Sequence, residues 1–234
     1  MQKDNYFIFS HKDISCPVGY EIIDNRNSEL DHRIWSELAG FKIVYDRVVA
    51  LSEDTTTAQD VNDMWLYLNQ YRRRFPADCY RRTYIPQPMT LPITIAEQYS
   101  MYHSIEDLHL CGTALKEEFP HLVQPFEQVM NGNLFIPYNI AVLTGAQFKD
   151  YCNFLFKVLE NLHKKIGTDT FEDRLNYIKS NPEKYTGENK NNDPVYQARI
   201  EAFCAERLST FYWIYISKQM PIYPAELIKT EGAF

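Results

Sequence analysis

The chain has 234 residues, of which 45% are hydrophobic and 24% charged, and its formal net charge is −7. The length fits one large domain, and the acidic balance argues against a nucleic-acid-binding protein, because phosphate contacts need a basic surface. Five scattered cysteines without a C-x-x-C pair indicate neither a zinc site nor a disulfide framework. No stretch has the roughly 20 apolar residues of a membrane span and no signal peptide is recognised, so we expect a cytoplasmic protein.

The first half of the chain alternates short apolar runs with polar segments. Strands are predicted at residues 6–10 and 19–23, and a helix at residues 30–49 with Asp31 as its N-cap. A short strand at 47–51 and a Thr-rich connection at 54–59 follow. The apolar run from residue 66 is predicted as a strand that ends in the three arginines 72–74, and residues 81–86 as a strand stopped by proline.

Helices dominate the second half. They are predicted at residues 95–102, 108–118, 122–130 and 147–166, the last ending at Gly167. Short strands are predicted at 134–136 and 140–143, and a mobile surface loop at 179–192. Asp193 and Pro194 begin a final helix that runs to about residue 218. Strands alternating with helices, followed by helices, predict a single α/β domain: a mixed central sheet flanked by helices, with a helical C-terminal layer.

The usual phosphate-binding loops are absent from the sequence. It contains neither G-x-x-x-x-G-K-[ST] nor G-x-G-x-x-G, and it lacks the D-x-D pair with which many sugar-nucleotide enzymes hold a divalent ion. Ligands of open α/β sheets lie outside the carboxyl ends of the strands. Arg72 and Arg73, with His11 or Lys12 after the first strand, are therefore candidates to neutralise a diphosphate. The alternative is a solvated basic turn.

Two further polar groups stand in the helical half. His103 precedes Glu106 and Asp107, and this cluster could bind an acceptor or supply a general base. Alternatively, the two carboxylates cap a helix that starts near residue 108. In the final helix, Glu206 and Arg207 form either an ion pair that fixes this helix to the sheet or part of a site.

Several segments, in this order, resemble a family of glycosyltransferases found among capsular and exopolysaccharide synthesis proteins and long labelled a domain of unknown function. The segments span most of the chain: residues 8–12, 35–41, 69–75, 102–108, 138–140, 148–156 and 199–208. Residues 70–75 resemble the family's hallmark His-Tyr-Arg-Arg-Tyr-Phe. The chain departs from the hallmark at Gln70, where the family has histidine, and at Arg74, where it has an aromatic residue.

The resemblance implies a GT-A-like nucleotide-diphospho-sugar transferase fold over residues 1–234. Residues 1–95 are expected to bind the sugar nucleotide, and residues 96–234 to form the acceptor and helical part. The residues carried over by position are His103 and Asp107 as catalytic groups, His11, Lys12, Tyr71, Arg72 and Arg73 as donor ligands, and Gln70, Asn139, Arg199, Glu206 and Arg207 as further lining.

The implied activity is transfer of a hexosyl group from a nucleotide-diphosphate sugar to a glycan or lipid-linked glycan acceptor of capsule, exopolysaccharide or lipopolysaccharide, at the inner face of the membrane. Because Gln70 replaces the hallmark histidine, the alternative is a catalytically degenerate member that binds sugar or nucleotide as a partner in polysaccharide synthesis. A purely structural interaction domain is a third reading. No metal ligand is assigned, and participation of Mn²⁺ or Mg²⁺ stays open.

Overall fold

The computed structural model of the protein describes residues 4–53 and 58–230. The strands in these ranges are β1 (Asp4–Ser10), β2 (Tyr20–Asp24), β3 (Trp65–Gln70), β4 (Arg73–Arg74), β5 (Tyr84–Pro86), β6 (Met89–Thr90), β7 (Leu134–Phe135), β8 (Val142–Thr144), β9 (Tyr223–Ala225) and β10 (Ile228–Lys229). The α-helices are α1 (His32–Trp35), α2 (Glu37–Glu53), α3 (Ala58–Asp63), α4 (Ile95–Tyr102), α5 (Ile105–Glu118), α6 (Val123–Met130), α7 (Gly145–Ile166), α8 (Phe171–Ser180), α9 (Pro182–Tyr185), α10 (Pro194–Gln197) and α11 (Ile200–Ile216).

The main sheet has the strand order β2-β1-β3-β8-β5-β9. Strands β1, β2 and β3 are parallel, β8 runs antiparallel to both β3 and β5, and β9 is parallel to β5. Beyond the end of β3, the short strand β4 turns back and pairs with β10. The mixed α/β sheet predicted from the sequence is therefore confirmed.

Helices cover one face of this sheet. Side chains alternate along a strand, so Phe7 and Phe9 of β1 point into the large core formed with α2 and α7, while Tyr6 lies on the other face. Helix α11 packs against α6 and α7, and it forms the predicted helical layer. No helix in the described ranges is long and apolar enough to cross a membrane.

Helix α7 shows how local sequence sets the element bounds. Thr144 and Gln147 form a reciprocal capping box, in which the Thr144 side chain accepts from Gln147 N and the Gln147 side chain accepts from Thr144 N. Gly167 ends the helix with φ 71°, a conformation that a side chain disfavours. The predictions for α7, for α4 and for strands β1 and β2 are confirmed.

Other predictions are wrong at identifiable places. Residues 47–51 belong to α2, because Val48 continues its buried stripe one turn after Val44. Helix α5 begins at Ile105, so Asp107 lies inside its first turn and does not precede the helix. The loop predicted at 179–192 contains α9, whose Tyr185 is buried. Of the predicted connection at 54–59, residues 54–57 lie outside the described residues, and Ala58 begins α3.

Two predicted continuous helices are broken at single residues. Ser36, with φ 53° and ψ −129°, separates α1 from α2, although Asp31 caps α1 as predicted. Arg199, with ψ 44°, separates α10 from α11, and Asp193 caps α10 as predicted. Both breaks lie beside the cavity described below, where they direct side chains that a continuous helix would place elsewhere.

We expect Gly40→Ala to destabilise the protein by about 1–3 kcal/mol. Gly40 lies in α2, and a Cβ there would overlap Asn25 Oδ1 and lie 2.5 Å from Phe9 Cδ1. Urea unfolding of the variant measures the loss. Gly112→Ala in α5 is the matched control, because its Cβ would meet only Phe126 at 3.8 Å. The control should be neutral or up to about 1 kcal/mol more stable, and equal effects of the two substitutions would contradict the crowding at Gly40.

Candidate functional site

The loops after β1 and β3 meet at one edge of the sheet. Because the two strands are parallel, their carboxyl ends lie side by side, and Tyr71 N donates to Phe9 O at 3.2 Å. His11 and Lys12 follow β1, and the ring centroids of His11 and Tyr71 are 5.6 Å apart. The structure thus brings together the cationic groups predicted at two strand ends.

The turn after β3 is held from both sides. Inside the sheet, the buried Asn69 accepts a hydrogen bond from Phe75 N at 2.9 Å and donates to Phe7 O at 3.1 Å. From the other side, Thr230 N donates to Arg72 O at 3.0 Å and Thr230 Oγ1 donates to Tyr71 O at 2.8 Å. The bond from Asn69 to Phe7 O anchors Asn69 itself. Together with the bond from Tyr71 N to Phe9 O, the other three fix the turn that carries the arginines by four hydrogen bonds.

A cavity of about 350 Å³ opens beside this turn, and we term it the rim cavity. Six residues predicted from the sequence line it: Gln70, Arg73, His103, Arg199, Glu206 and Arg207. The prediction missed the other eight lining residues: Ser36, Glu37, Gln98, Phe135, Tyr138, Tyr196, Ala202 and Phe203. Helices α4 and α11, the start of α2 and the approach to β8 thus all contribute to one site.

Arg73 and Arg199 reach the rim cavity with aromatic partners. The Arg73 guanidinium carbon lies 3.9 Å from the centroid of the Tyr138 ring, and that of Arg199 lies 4.5 Å from the Tyr196 ring. Within residues 4–53 and 58–230, neither arginine forms an ion pair with a carboxylate. Stacking holds each guanidinium in place while its charge stays available for an anion.

Arg207 is the buried cation of the cavity wall. Its Nη1 lies 3.1 Å from Glu206 Oε2, and its Nη2 donates to Gln98 Oε1. The residue is 2% exposed, and among the described atoms its Nε has no hydrogen-bond partner. A buried donor without a partner costs free energy, so a ligand oxygen or water that reaches this nitrogen is favoured.

Glu37 receives a directed chain of hydrogen bonds. Gln70 Nε2 and Asn139 Nδ2 donate to its Oε1 at 3.0 and 3.1 Å, and Ser36 Oγ donates to its Oε2 at 2.7 Å. Behind Asn139, Ser209 Oγ donates to Asn139 Oδ1 at 2.9 Å. Three donors on one carboxylate hold it in one position.

Strained backbone brackets this carboxylate. Ser36 has φ 53° and Tyr138 has φ 67°, and they are two of the three non-glycine residues with positive φ in the part of the chain that the structure describes. Such conformations cost about 1–3 kcal/mol each and persist only where the surroundings impose them. Ser36 and Tyr138 both line the rim cavity, so the strain is concentrated at the candidate site.

Glu206 is a partly exposed acid of the cavity. Burial raises its pKa and the charge of Glu37 adds to this effect, while Arg207 and the backbone of Tyr138 oppose it. About a quarter of the side chain is exposed, whereas Arg207 beside it is almost fully covered. A partly exposed carboxylate with a raised pKa has the properties of a general base or acid.

His103 is buried and neutral. Its ring stacks on Phe203 with centroids 3.8 Å apart, and its Nδ1 lies 3.2 Å from Gln197 Oε1. Burial and the charge of Arg207 lower its pKa to about 3. The Gln197 amide nitrogen donates to two backbone carbonyls, so its oxygen faces the ring and Nδ1 carries the proton. His103 therefore keeps an unprotonated Nε2 as an acceptor.

Asp107 does not line the rim cavity. It is 2% exposed, and Tyr185 Oη donates to its Oδ1 at 2.9 Å. Burial raises its pKa to about 7. The structure thus separates Asp107 from His103, its predicted catalytic companion, and places it in the interior of the helical layer.

Four predicted donor ligands form a patch next to the cavity. Lys12 Nζ and the Arg72 guanidinium carbon lie 5.6 and 4.9 Å from the Tyr71 ring centroid, and His11 contacts the edge of the same ring. The pKa of His11 is lowered, first by partial burial and then by neighbouring positive charges, Arg199 among them. The patch and the rim cavity therefore share one positive field.

A buried ion pair supports the Arg199 segment from behind. Arg174 of α8 and Glu201 of α11 are both fully buried, with Nη2 and Oε1 2.7 Å apart, and Arg174 Nη1 donates to Ala198 O at 3.1 Å. His163 Nδ1 lies 2.7 Å from the same carboxylate. These contacts hold the break between α10 and α11, and so they direct Arg199 toward the cavity.

The donor set of the rim cavity does not fit Mn²⁺ or Mg²⁺, which need one or two carboxylates with oxygens free to coordinate, together with phosphate oxygens. Glu37 is occupied by three neutral donors and Glu206 by Arg207, and three guanidinium groups share the space. Among the described residues, no group of three or more His, Cys, Asp or Glu side chains could hold a metal ion. The positive charge at this site comes from arginine.

Comparisons with known proteins give a family and a similar fold. A family model described as "Domain of unknown function (DUF4422)" matches residues 45–179, which is more than half of the chain. The apo structure of the bifunctional glycosyltransferase WbbM is similar with a TM-score of 0.67 and 12% identity, over 97% of this chain and 45% of that one. This chain spans less than half of WbbM, and at this identity the likeness shows the fold alone. No curated protein matches the sequence.

His103 and Asp107 should give opposite slopes to the pH dependence of stability. The pKa of Asp107 is raised from 3.8 to about 7, so the folded state holds a proton that the unfolded state releases, and stability falls as pH rises from about 4 to 7. The pKa of His103 is lowered from 6.5 to about 3, so its contribution rises with pH over about 3 to 6.5.

Urea unfolding at several pH values tests this. As pH rises from about 4 to 6.5, the free energy of unfolding of Asp107→Asn should increase relative to that of the wild type, because the variant lacks the falling contribution of Asp107. Over the same range, the free energy of unfolding of His103→Gln should decrease relative to that of the wild type. Each change should be on the order of 1–2 kcal/mol. Asp78→Asn, which removes an exposed carboxylate, is the control. Stability curves of the two variants that run parallel to the wild-type curve would contradict the assignment.

Proposed function

This chain belongs to the DUF4422 family, and we propose that it is a glycosyltransferase that uses a nucleotide-diphosphate sugar. The observation that carries the proposal is the convergence of Arg73, Arg199 and Arg207 on one cavity in a chain of net charge −7. The cavity lies at the carboxyl rim of the parallel strands, where α/β sheets bind ligands. The fold shared with WbbM supports the same class of reaction.

The diphosphate is assigned to the arginines. Arg73 and Arg199 have no carboxylate partner among the described residues, and guanidinium groups bind phosphate oxygens with two parallel hydrogen bonds. Lys12 and Arg72 on the neighbouring patch extend the positive field toward the nucleotide. As the diphosphate leaves, these charges stabilise it, which is the task that a divalent cation performs in enzymes with a carboxylate pair.

The sugars are assigned to the polar and aromatic remainder of the cavity. Glu37 and His103 offer fixed acceptors for hydroxyl groups, and Tyr196 and Phe203 offer flat apolar faces. Glu206 acts as the base. The acceptor oxygen forms a bond to the anomeric carbon, the bond from that carbon to the phosphate oxygen breaks, and the acceptor proton passes to the Glu206 carboxylate. A glycan of capsule, exopolysaccharide or lipopolysaccharide is the acceptor that fits the family resemblance.

The second candidate is a degenerate member that binds the donor without turnover. Gln70 favours it, because this amide replaces the hallmark histidine and donates to Glu37 at 3.0 Å. An amide cannot transfer a proton as imidazole can. Under this function the chain serves as a sugar- or nucleotide-binding partner in polysaccharide synthesis.

Donor binding should depend on the cavity arginines. UDP-, GDP- and dTDP-sugars are screened by thermal shift. One of them, at about 100 times its Kd, should stabilise the protein by about 2.7 kcal/mol, or about 5–10 °C. Arg73→Ala and Arg199→Ala should each weaken binding by about 10–100-fold. The shift should persist in EDTA, since arginine supplies the charge.

Arg82→Ala is the matched control, because this exposed arginine lies over Tyr223 and outside the cavity lining. Arg72→Ala reports whether the ligand also reaches the neighbouring patch. A shift that survives loss of both Arg73 and Arg199, or the absence of a shift with any donor, would refute the assignment of this cavity.

Turnover should separate the two candidate functions. Release of nucleoside diphosphate from the bound donor is expected for the wild type, with a loss of about 100-fold or more in Glu206→Gln while donor binding is kept. A degenerate member would bind the donor without releasing nucleoside diphosphate. In that case Gln70→His, which restores the hallmark side chain beside Glu37, should release nucleoside diphosphate. If neither the wild type nor Gln70→His releases it, only the binding function is left.

A further inference from the structure

The face of the sheet opposite the main helical core carries a row of tyrosines. Strand pairing aligns Tyr20 with Tyr6, Tyr6 with Tyr67, Tyr67 with Val142, Val142 with Tyr84, and Tyr84 with Tyr223. Residues in register share a face, so five tyrosines cross six strands in one line. Phe75, Cys79, Ala225 and Leu227, from loops and short strands, cluster with Tyr67 and Val142 in the middle of this row.

A second cavity of about 250 Å³ opens over one end of the row, and we term it the outer-face cavity. Tyr6, Tyr20, Tyr67 and Phe75 form its aromatic walls, and the fully exposed Val18 stands at its margin. None of the described residues that line it is charged. Burial raises the pKa of its one thiol, Cys79, to about 11, so this group is neutral as well.

The two cavities are back to back at one strand end. Asn69 lines the outer-face cavity, and Gln70, the next residue of β3, lines the rim cavity. Successive strand residues point to opposite faces, and Tyr67 lies about 10 Å from Gln70 along the strand. A chain molecule that enters the rim cavity over the edge of the sheet therefore passes within reach of the tyrosines.

We propose that the outer-face cavity is a secondary glycan-binding site, which holds a neutral sugar unit of the acceptor some distance from its reacting end. A sugar ring has an apolar C–H face and polar edges, and flat aromatic walls with hydroxyl groups complement both. The described residues of the lining carry no charge, and a cation that approaches its walls, Arg74, has its guanidinium carbon 5.8 Å from the Tyr20 ring centroid. The inference rests on the proposed function, because it takes the acceptor to be a glycan.

Saturation-transfer NMR of the full chain with linear hexasaccharides of glucose, galactose and mannose tests the site without any donor. At least one hexasaccharide should bind at millimolar concentration. Tyr20→Leu removes a wall ring and should weaken this binding by about tenfold or more. Tyr223→Leu is the matched control, because Tyr223 belongs to the same row but lies outside the cavity.

A second variant distinguishes a loss of binding from a loss of folding. Val18→Glu alters a fully exposed side chain at the margin of the cavity and should also weaken binding, while its melting temperature stays at the wild-type value. Equal binding by wild type, Tyr20→Leu and Val18→Glu would overturn the proposal, as would no binding of any hexasaccharide. Binding to phosphatidylcholine vesicles without binding to hexasaccharides would assign this face to a membrane and also overturn it. Donor binding in the rim cavity is measured separately, so failure of either assignment is recognised independently.

Discussion

The carboxylate of Glu37 is the constraint on which the arrangement of the site depends. It starts helix α2, and it receives hydrogen bonds from the end of β3 through Gln70 and from the approach to β8 through Asn139. The series of hydrogen bonds continues into the helical layer, since Ser209 Oγ donates to Asn139 and lies 2.6 Å from Tyr151 Oη. A carboxylate in this position needs hydrogen-bond donors from several directions. The donors come from both halves of the chain, so their bonds to Glu37 fix the relative positions of these elements.

The ion pair of Arg174 and Glu201 has a comparable role deeper in the molecule. The two fully buried charges are tolerated because two hydrogen bonds of 2.7 Å join them. In addition, Thr168 Oγ1 and Ala198 O accept hydrogen bonds from the Arg174 guanidinium. Removing one partner of such a pair costs about 3–5 kcal/mol, since the other charge stays buried. Because Arg174 donates to Ala198 O, the position of Arg199 is fixed by the core. The position of Arg72, in contrast, depends on an exposed turn.

Elements that are determined by local patterns could be predicted from the sequence, and elements that depend on distant partners could not. Helix α7 has a capping box, an apolar stripe and a terminal glycine, all within its own residues. Helix α8 was missed because a buried arginine interrupts its apolar pattern, and Arg174 is buried only because Glu201 compensates it. Within the site, Arg73 follows from the charge at a strand end, whereas Arg199 is expected only from the family resemblance. Glu37 could not be predicted, because its hydrogen-bond partners Gln70 and Asn139 lie 33 and 102 residues away in the sequence.

The hydrogen bonds from Thr230 to the turn at Tyr71 and Arg72 span 158 and 159 residues, and this has a consequence for the kinetics of folding. Contacts so far apart in sequence require closure of a long loop, so they form late and slow the search for the native state. During synthesis, strands β1 and β3 emerge well before residue 230, and the arginine turn then lacks two of its four restraints. The nascent chain therefore pairs β1 with β3 before its anion-binding edge is complete, and that edge becomes rigid only when β10 has paired with β4.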